Sequence, residues 1–287
     1  MSILDTFNNR EIAIGIWFIL FLFLVLVLTF TKKKKIRFLP NLIKSLFHWK
    51  VITVFLIIFI YSSCIVIILY SINFWDFYLL KDTIIWILFT GIVTTVNSII
   101  SKDYDNLFKK IIYDNFKIIF IVEFIVNAYT FPLIAELFIV PIVFIIILFD
   151  TVASIDKKNA CFSNFLKILQ ISIFIAIFSY SIYKIIVDYN NFFTLKTLKD
   201  ISLAPILTVF FIPLIYFIVL ITNYEQIFFR LSFMLKNSKE VNRYAKKEII
   251  KYCLIRLKKV NNILKNNIPE LIQIRTKQDV KNFIRSL

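Results

Sequence analysis

Long apolar runs, separated by short polar segments, make up most of this chain. Seven of these runs approach the ~20 residues that a helix needs to cross a hydrocarbon layer of ~30 Å, so each predicts a membrane-spanning helix. The predicted spans are 12–31, 51–71, 83–100, 112–131, 133–150, 168–187 and 201–222. The pattern therefore predicts an all-α polytopic transmembrane helix bundle of about seven spans over residues 1–222, followed by a more polar tail over 223–287.

The longest apolar run, 118–149, covers 32 residues and contains two acids and two prolines. It is too long for one span, and acids are costly in lipid, so we expect a hairpin with its turn near residues 130–132. A re-entrant loop is the alternative. It would move the basic tail to the outside of the membrane, against the rule that basic segments stay in the cytoplasm. The run therefore predicts two crossings.

The Lys and Arg residues indicate the orientation of the spans. The 287-residue chain has 34 of them, and 29 fall in four segments that share one side if the N-terminus is outside. These segments are 32–50, 101–117, 151–167 and 223–287. Because basic loops stay in the cytoplasm, we expect a multi-pass protein with its N-terminus outside and its tail inside. The five exceptions are Arg10, Lys81, Lys184, Lys196 and Lys199.

Three polar side chains in the predicted hairpin form a candidate ion or proton site. At 1.5 Å per residue, Glu123 lies roughly 12 Å and Glu136 roughly 6 Å below the turn. Asn127 lies one helical turn above Glu123 and close to the level of Glu136. Acids at membrane depth are functional candidates, and two nearby carboxylates favour proton or cation exchange. The alternative is that these side chains only hydrogen-bond between helices and hold the bundle together.

A polar stripe follows one face of the third predicted span. Its members recur at i, i+4, i+7 and i+11, and they are Thr90, Thr94, Asn97 and Ser101. Two interpretations are open. The stripe either lines a wet path towards the acids, or it packs against a neighbouring helix, which Gly91 would allow to approach closely.

The tail is strongly basic, with 15 Lys and Arg against 5 acids. It predicts an amphipathic helix that starts after Ser238 and continues to about Asn266, before Pro269. The apolar positions of this helix are Ile250, Leu254, Leu257 and Leu264. A second short helix is predicted over 276–287, with Thr276 as a cap towards Asp279.

Basic side chains on the first tail helix form a predicted contact surface. They are Lys246, Lys247, Lys251, Arg256, Lys258 and Lys259. Such a surface favours anionic lipid headgroups or a cytoplasmic protein as its partner. We do not expect nucleic acid, because basic clusters by themselves are nonspecific. A homo-oligomer is a further open alternative.

The chemistry-bearing residues are too few for a conventional active site. His48 is the only histidine, and the two glycines, Gly15 and Gly91, provide no phosphate-binding loop. The three cysteines, at positions 64, 161 and 253, are far apart, so we expect free thiols without a disulfide or zinc site. We therefore expect no enzyme, cofactor or metal. The remaining enzymatic alternative is intramembrane acid–base catalysis by Glu123 and Glu136.

Three sequence segments resemble parts of an uncharacterised family of bacterial polytopic membrane proteins. They are NREIAIGIWFIL (9–20), LLKDTIIWILFTG (79–91) and EFIVNAYTFPLIAELFIVP (123–141). The resemblance implies a bacterial cytoplasmic membrane and carries no known activity. The leading hypothesis from the sequence is an ion or proton channel or transporter with a buried acidic site. The alternative is a membrane-anchored scaffold or effector, for example in stress or phage defence, that acts through its cytoplasmic tail.

Overall fold

The computed structural model describes residues 7–31, 44, 47, 49–101, 111, 118–155, 159–235, 238–267, 271 and 274–287. These ranges are helical apart from short turns and contain no strand, which confirms the all-α class. The helices are α1 (Asn9–Thr31), α2 (Trp49–Ser71), α3 (Leu80–Trp86), α4 (Ile92–Ile100), α5 (Ile118–Ala128), α6 (Leu133–Ile155), α7 (Ala160–Val187), α8 (Tyr189–Phe192), α9 (Leu195–Met234), α10 (Lys239–Cys253), α11 (Leu257–Asn266) and α12 (Lys277–Ser286). A 3-10 turn (Phe77–Leu79) precedes α3, and a π-helical turn (Ile87–Gly91) joins α3 to α4.

Six helical segments are long and apolar enough to cross a membrane, which indicates a multi-pass membrane protein. They are Asn9–Val27, Val51–Ser71, Phe77–Ile100, Leu133–Ile155, Ala160–Val187 and Leu195–Met234. The predicted span 112–131 is represented by α5 alone, because 112–117 lies outside the described residues. Helix α5 has 11 residues, about 16 Å at 1.5 Å per residue. The seventh crossing therefore stays a prediction.

The chain divides into two compact units. The first contains Met1–Val54, Phe74–Lys81 and Phe116–Leu203, and the second contains Phe55–Asn73, Asp82–Asn115 and Ala204–Leu287. The composition changes after residue 222, where we predicted the start of the tail, but this position lies inside α9. Helix α9 has 40 residues, about 60 Å at 1.5 Å per residue. The apolar span and the beginning of the polar tail are therefore parts of one continuous helix.

In the first unit, α6 packs against both α1 and α7, and α5 packs against α7. A turn over residues 129–132 joins α5 to α6, where the hairpin turn was predicted. Phe131 in this turn stacks on Tyr180 of α7, with ring centroids 4.0 Å apart. Ser181 donates its hydroxyl proton to the Tyr129 carbonyl oxygen at 3.0 Å. Side-chain contacts thus hold the turn against α7.

In the second unit, the π-helical turn packs beside Phe211 of α9, which is only 1% exposed. Trp86 meets the Phe211 ring edge-on, with centroids 5.2 Å apart. A Cβ atom at Gly91 would lie 3.4 Å from the Trp86 ring and 3.5 Å from the Phe211 ring. These are ordinary contact distances, so alanine fits at position 91, but a larger side chain would have to displace an aromatic ring.

The tail forms a small helical module with its own buried side chains. The predicted single helix to Asn266 is wrong, because α10 ends at Cys253 and α11 begins at Leu257. The predicted apolar face is also partly wrong, since Ile250 and Leu254 are exposed. The buried positions include Ala245, Ile249, Cys253, Leu257, Val260, Ile263, Val280 and Phe283. The turn after Cys253 lets both helices bury one face each, and the small residues Ala245 and Cys253 complete the face of α10.

The start of α12 confirms the predicted cap. The Thr276 hydroxyl accepts the Asp279 N–H at 3.2 Å, and the Asp279 carboxylate accepts the Thr276 N–H at 2.8 Å. This reciprocal capping box satisfies two N–H groups that a helix start leaves free. A third bond, from the Arg275 N–H at 3.0 Å, ends on the same carboxylate. These donors hold the pKa of Asp279 below its usual value.

Candidate functional site

Helix α1 begins with a capping box that also binds Lys81. Asn8 Oδ1 accepts the Glu11 N–H at 2.8 Å, and Glu11 Oε2 accepts the Asn8 N–H at 2.8 Å. The two side chains therefore satisfy each other's backbone at the helix start. The Glu11 carboxylate also pairs with Lys81, whose Nζ lies 3.0 Å from Oε2. The start of α1 is thus joined to the start of α3.

Arg10 forms a two-pronged salt bridge with Glu136 of α6. Its Nε lies 3.1 Å from Oε2 and its Nη2 lies 3.0 Å from Oε1. The Glu136 side chain is fully buried, and the Arg10 side chain is 15% exposed. Glu136 Oε1 also accepts the Phe131 N–H at 3.1 Å. Burying two charges costs desolvation free energy. The attraction between the charges offsets this cost only when the pair has such bidentate geometry and further hydrogen bonds.

The structure joins two of the three predicted site residues through Arg10 and leaves the third apart. Arg10 Nη1 donates to Asn127 Oδ1 at 3.4 Å and to the Val126 carbonyl oxygen at 3.2 Å. Asn127 and Glu136 therefore share one arginine. Glu123 has an exposed side chain on α5, and within the described ranges no hydrogen bond or ion pair connects it to Glu136. The site is centred on Arg10, one of the five exceptions to the rule that basic residues stay on the cytoplasmic side (the charge rule).

A second group of hydrogen bonds joins the α5–α6 turn to the end of α7. Tyr129 donates its hydroxyl proton to Asp188 Oδ2 at 2.6 Å, and Asn191 Nδ2 donates to Asp188 Oδ1 at 2.6 Å. These two bonds hold the pKa of Asp188 below its usual value, with a smaller contribution from the positive charge of Lys184. The carboxylate of Asp188 is therefore a second acid that works as a hydrogen-bond acceptor between helices.

All five basic residues that the charge rule leaves outside have a partner in the first unit. Three form ion pairs, which are Arg10–Glu136, Lys81–Glu11 and Lys199–Asp76, the last at 2.7 Å. Two lie over aromatic rings, Lys184 over Tyr180 at 5.8 Å and Lys196 over Tyr78 at 4.9 Å. A cation over a ring face is attracted by the ring quadrupole. Each exception is thus compensated locally.

These contacts bring six helix ends together in what we call the polar end. It contains the starts of α1, α3, α6 and α9 and the ends of α5 and α7. The helices that begin there run away from the polar end, and those that finish there run towards it. Helices α5 and α6 meet there at the turn over residues 129–132. Two features of the sequence pointed to this arrangement. They are Arg10, just before the first predicted span, and Glu136, an acid near the start of the fifth predicted span.

The predicted path lining does not form the buried face of its helix. Thr90 and Thr94 are half-buried and Asn97 is exposed. The fully buried polar positions are instead Thr95 and Ser98. Their hydroxyls donate to the carbonyl oxygens of Gly91, at 2.8 Å, and Thr94, at 2.6 Å, so their own helix satisfies them. The preceding π-helical turn changes which side chains of α4 face the interior. A regular α-helical spacing, on which the predicted stripe was based, does not include this change.

The predicted basic surface of the tail is divided between ring contacts and exposed positions. Lys246 lies over the Phe228 ring at 5.6 Å, and Lys259 lies over the Tyr252 ring at 3.9 Å. The exposed members are Lys247, Lys251, Arg256 and Lys258. The four exposed members of this predicted surface lie along the second half of α10, in the turn that follows and at the start of α11.

Across the described ranges, no group of three or more His, Cys, Asp or Glu side chains could hold a metal ion. No protein-family model, curated protein or solved structure matches the chain. What the protein does must therefore be inferred from its own contacts.

Proposed function

We propose that the protein is a multi-pass anchor of the bacterial cytoplasmic membrane that holds a folded basic module, residues 238–287, at the cytoplasmic face, where it acts as a scaffold or effector. The observation that carries this proposal is the state of Glu136. Its carboxylate is buried and already accepts three N–H groups, two from Arg10 and one from Phe131. A carboxylate that carries ions must exchange its partners, whereas this one closes a joint between helices.

The other candidate function is an ion or proton channel or transporter. One observation favours it, namely that Glu136 is fully buried near the start of an apolar span, where acids are often functional. Against it, Glu123 is exposed, and the buried hydroxyls of Thr95 and Ser98 are satisfied within their own helix. The contacts thus favour the anchor over the transporter.

The packing of the tail supports a module with a function of its own. A helix that lies flat on lipid buries its apolar face in the membrane. Here α10 packs against α12 and α11, and their apolar faces bury each other. The exposed basic side chains of the module would meet an acidic surface, either anionic lipid or a cytoplasmic protein. We propose no cofactor for the module, and nucleic acid is not its proposed partner.

The proposed orientation combines the charge rule with the polar end. We place the polar end outside, because its basic residues are paired with acids or aromatic rings. The opposite helix ends then lie in the cytoplasm with 29 of the 34 basic residues. This orientation requires α5 and the residues before it to complete the seventh crossing.

Reconstitution of the full-length protein into liposomes separates anchor from transporter. We expect the wild type and Glu136→Gln to give the proton and potassium flux of empty liposomes, while Glu136→Gln lowers the Tm. Glu123→Gln is the matched control, because this exposed acid should affect neither flux nor Tm. Flux by the wild type that a folded Glu136→Gln variant loses would overturn the proposal and establish transport.

Proteolysis provides the positive test of the module. In inside-out vesicles, which expose the cytoplasmic face, we expect trypsin to cut the chain before residue 238 and leave a resistant fragment that contains α10 to α12. Right-side-out vesicles should protect the whole tail. Rapid degradation of α10 to α12 from the cytoplasmic side, or cleavage of the tail from outside, would contradict the proposed module.

A further inference from the structure

The turn between α10 and α11 exposes two large aliphatic side chains. Leu254 is 61% exposed and Ile255 is 59% exposed, although the neighbouring Cys253 and Leu257 are buried. Exposed charged side chains flank the pair at Lys251 and Arg256. An apolar tip between cations is the composition of segments that enter the interface of an anionic membrane.

Two backbone carbonyl groups of this turn accept hydrogen bonds from tyrosine side chains of α9. Tyr224 donates its hydroxyl proton to the Leu254 carbonyl oxygen at 2.6 Å, and Tyr216 donates to the Ile255 carbonyl oxygen at 2.5 Å. The Tyr216 hydroxyl also accepts the Leu257 N–H at 3.2 Å. Both exposed carbonyl groups are thus satisfied by side chains of α9. Lipid imposes this requirement, because unsatisfied backbone groups are costly there.

The two tyrosines also give the depth of the turn. The apolar stretch of α9 ends at Thr222, so Tyr216 lies six residues, or about 9 Å, inside it. Tyr224 lies two residues beyond it, at the level where aromatic rings meet the headgroups. The hydroxyls of the two tyrosines bond adjacent carbonyl groups of the turn. The turn therefore lies between these two levels, no deeper than the ~5–10 Å that interfacial segments reach.

The backbone at Leu254 shows that a large side chain is kept there at a cost. Its φ of 48° and ψ of −127° match the first central position of a type II′ turn, where glycine predominates. The turn is closed by the Arg256 N–H, which donates to the Cys253 carbonyl oxygen at 2.9 Å. Such conformations are strained for a residue with a Cβ and concentrate at functional positions.

We propose that Leu254 and Ile255 insert into the cytoplasmic leaflet beside α9 and fasten the module to anionic lipid of the same membrane. The proposal rests on the orientation given under the proposed function. Lys251 and Arg256 then meet the headgroups, while the buried side chains of the module remain in protein. The module is held at the surface through one turn instead of lying flat along a whole helix.

Spin-label accessibility in the full chain tests this proposal. The native cysteines are replaced (Cys64→Ala, Cys161→Ala, Cys253→Ala), and a nitroxide is attached at Ile255→Cys or, as the matched exposed control, at Lys265→Cys. The proteins are reconstituted into phosphatidylcholine vesicles with or without phosphatidylglycerol. In the anionic vesicles we expect a several-fold higher ratio of oxygen to nickel-complex accessibility at position 255 than at position 265. Equal ratios at positions 255 and 265 would overturn the proposal. A turn that is covered by a protein surface instead of lipid is one case that would give this result.

Two further measurements keep the outcomes separate. Leu254→Gly removes one apolar side chain and relieves the strained position without unfolding the turn, so we expect a shallower label at Ile255→Cys and a Tm that does not fall. A label depth that Leu254→Gly does not alter would contradict the insertion of Leu254. The side of the membrane is read from Lys265→Cys with an impermeant reductant. Reduction of the label at position 265 from outside would refute the proposed orientation. If this label is reduced from the cytoplasmic side but position 255 is exposed to water, only the insertion is refuted.

Discussion

The Arg10–Glu136 pair predicts an unusual order of stabilities for three variants. Arg10→Met leaves the buried Glu136 carboxylate with a single donor, the Phe131 N–H. Removal of one partner from a buried ion pair costs about 3–5 kcal/mol. Glu136→Gln keeps an acceptor for Phe131 and leaves Arg10 with the carbonyl oxygen of Val126 and the amide of Asn127. We expect the smaller loss of about 1–3 kcal/mol for this variant.

The double variant Arg10→Met/Glu136→Gln contains neither charge, so it should lose less stability than Arg10→Met alone. The coupling free energy then exceeds the loss in Glu136→Gln and is at least about 1 kcal/mol, within the ~0.5–3 kcal/mol by which residues in one ion-pair network couple. The measurement is equilibrium unfolding of the four proteins from mild detergent into SDS. The signal is tryptophan fluorescence, to which Trp17 contributes at the contact of α1 and α6, where its Nε1 donates to the Leu137 carbonyl oxygen at 2.9 Å.

The Lys81–Glu11 pair provides the control for this cycle. Its side chains are 21% and 25% exposed, and ion pairs near water contribute only about 0–1 kcal/mol. The corresponding cycle with Lys81→Met and Glu11→Gln should therefore show a much smaller coupling. Additive losses in the Arg10 and Glu136 cycle, or a loss below about 1 kcal/mol for Arg10→Met, would refute the role of this pair as a buried joint.

Three further predictions concern other parts of the chain. An impermeant maleimide should label the exposed Cys161 in inside-out vesicles, whereas Cys253 should react only after unfolding, because burial raises its pKa to about 11. Gly91→Ala should change the Tm little, while Gly91→Leu should cost about 1–3 kcal/mol by overpacking against two aromatic rings, as thermal unfolding will show. Thr276→Ala should cost α12 about 1 kcal/mol, seen as faster hydrogen exchange. Since the folded-state pKa of Asp279 is lowered, its contribution is present above the unfolded pKa near 4 and is lost as the pH falls through the folded pKa, so α12 should lose protection there.

Local patterns were sufficient for the elements that depend on neighbouring residues. Apolar runs of membrane length predicted the six long apolar helices, and Thr276 with Asp279 predicted the start of α12. The apolar face of α10 could not be found in the same way. The largest aliphatic residues at helical spacing, such as Ile250 and Leu254, predict a different face, because small residues can fill a face that other helices cover closely. Only the tertiary contacts show that Ala245 and Cys253 are buried.

The acidic site shows the same limit for long-range pairs. Depth along a helix predicted similar levels for Asn127 and Glu136, because the rise per residue is fixed. It did not identify their common partner, since Arg10 lies 126 residues away from Glu136 in the chain. The π-helical turn before Ile92 is another example. It changes the register of Thr95 and Ser98, and no residue pattern in the span indicated it.

Arg10 and Glu136 are each unfavourable when considered alone. An arginine at the start of the first span opposes the proposed orientation, and an acid near the start of an apolar span is costly in lipid. Together they cancel both charges, and Lys81–Glu11 and Lys199–Asp76 repeat this cancellation at the same polar end. The opposite helix ends have a large excess of basic residues without such a balance of acids. The proposed orientation therefore rests on the uncompensated charges, while the compensated ones join helices of the first unit.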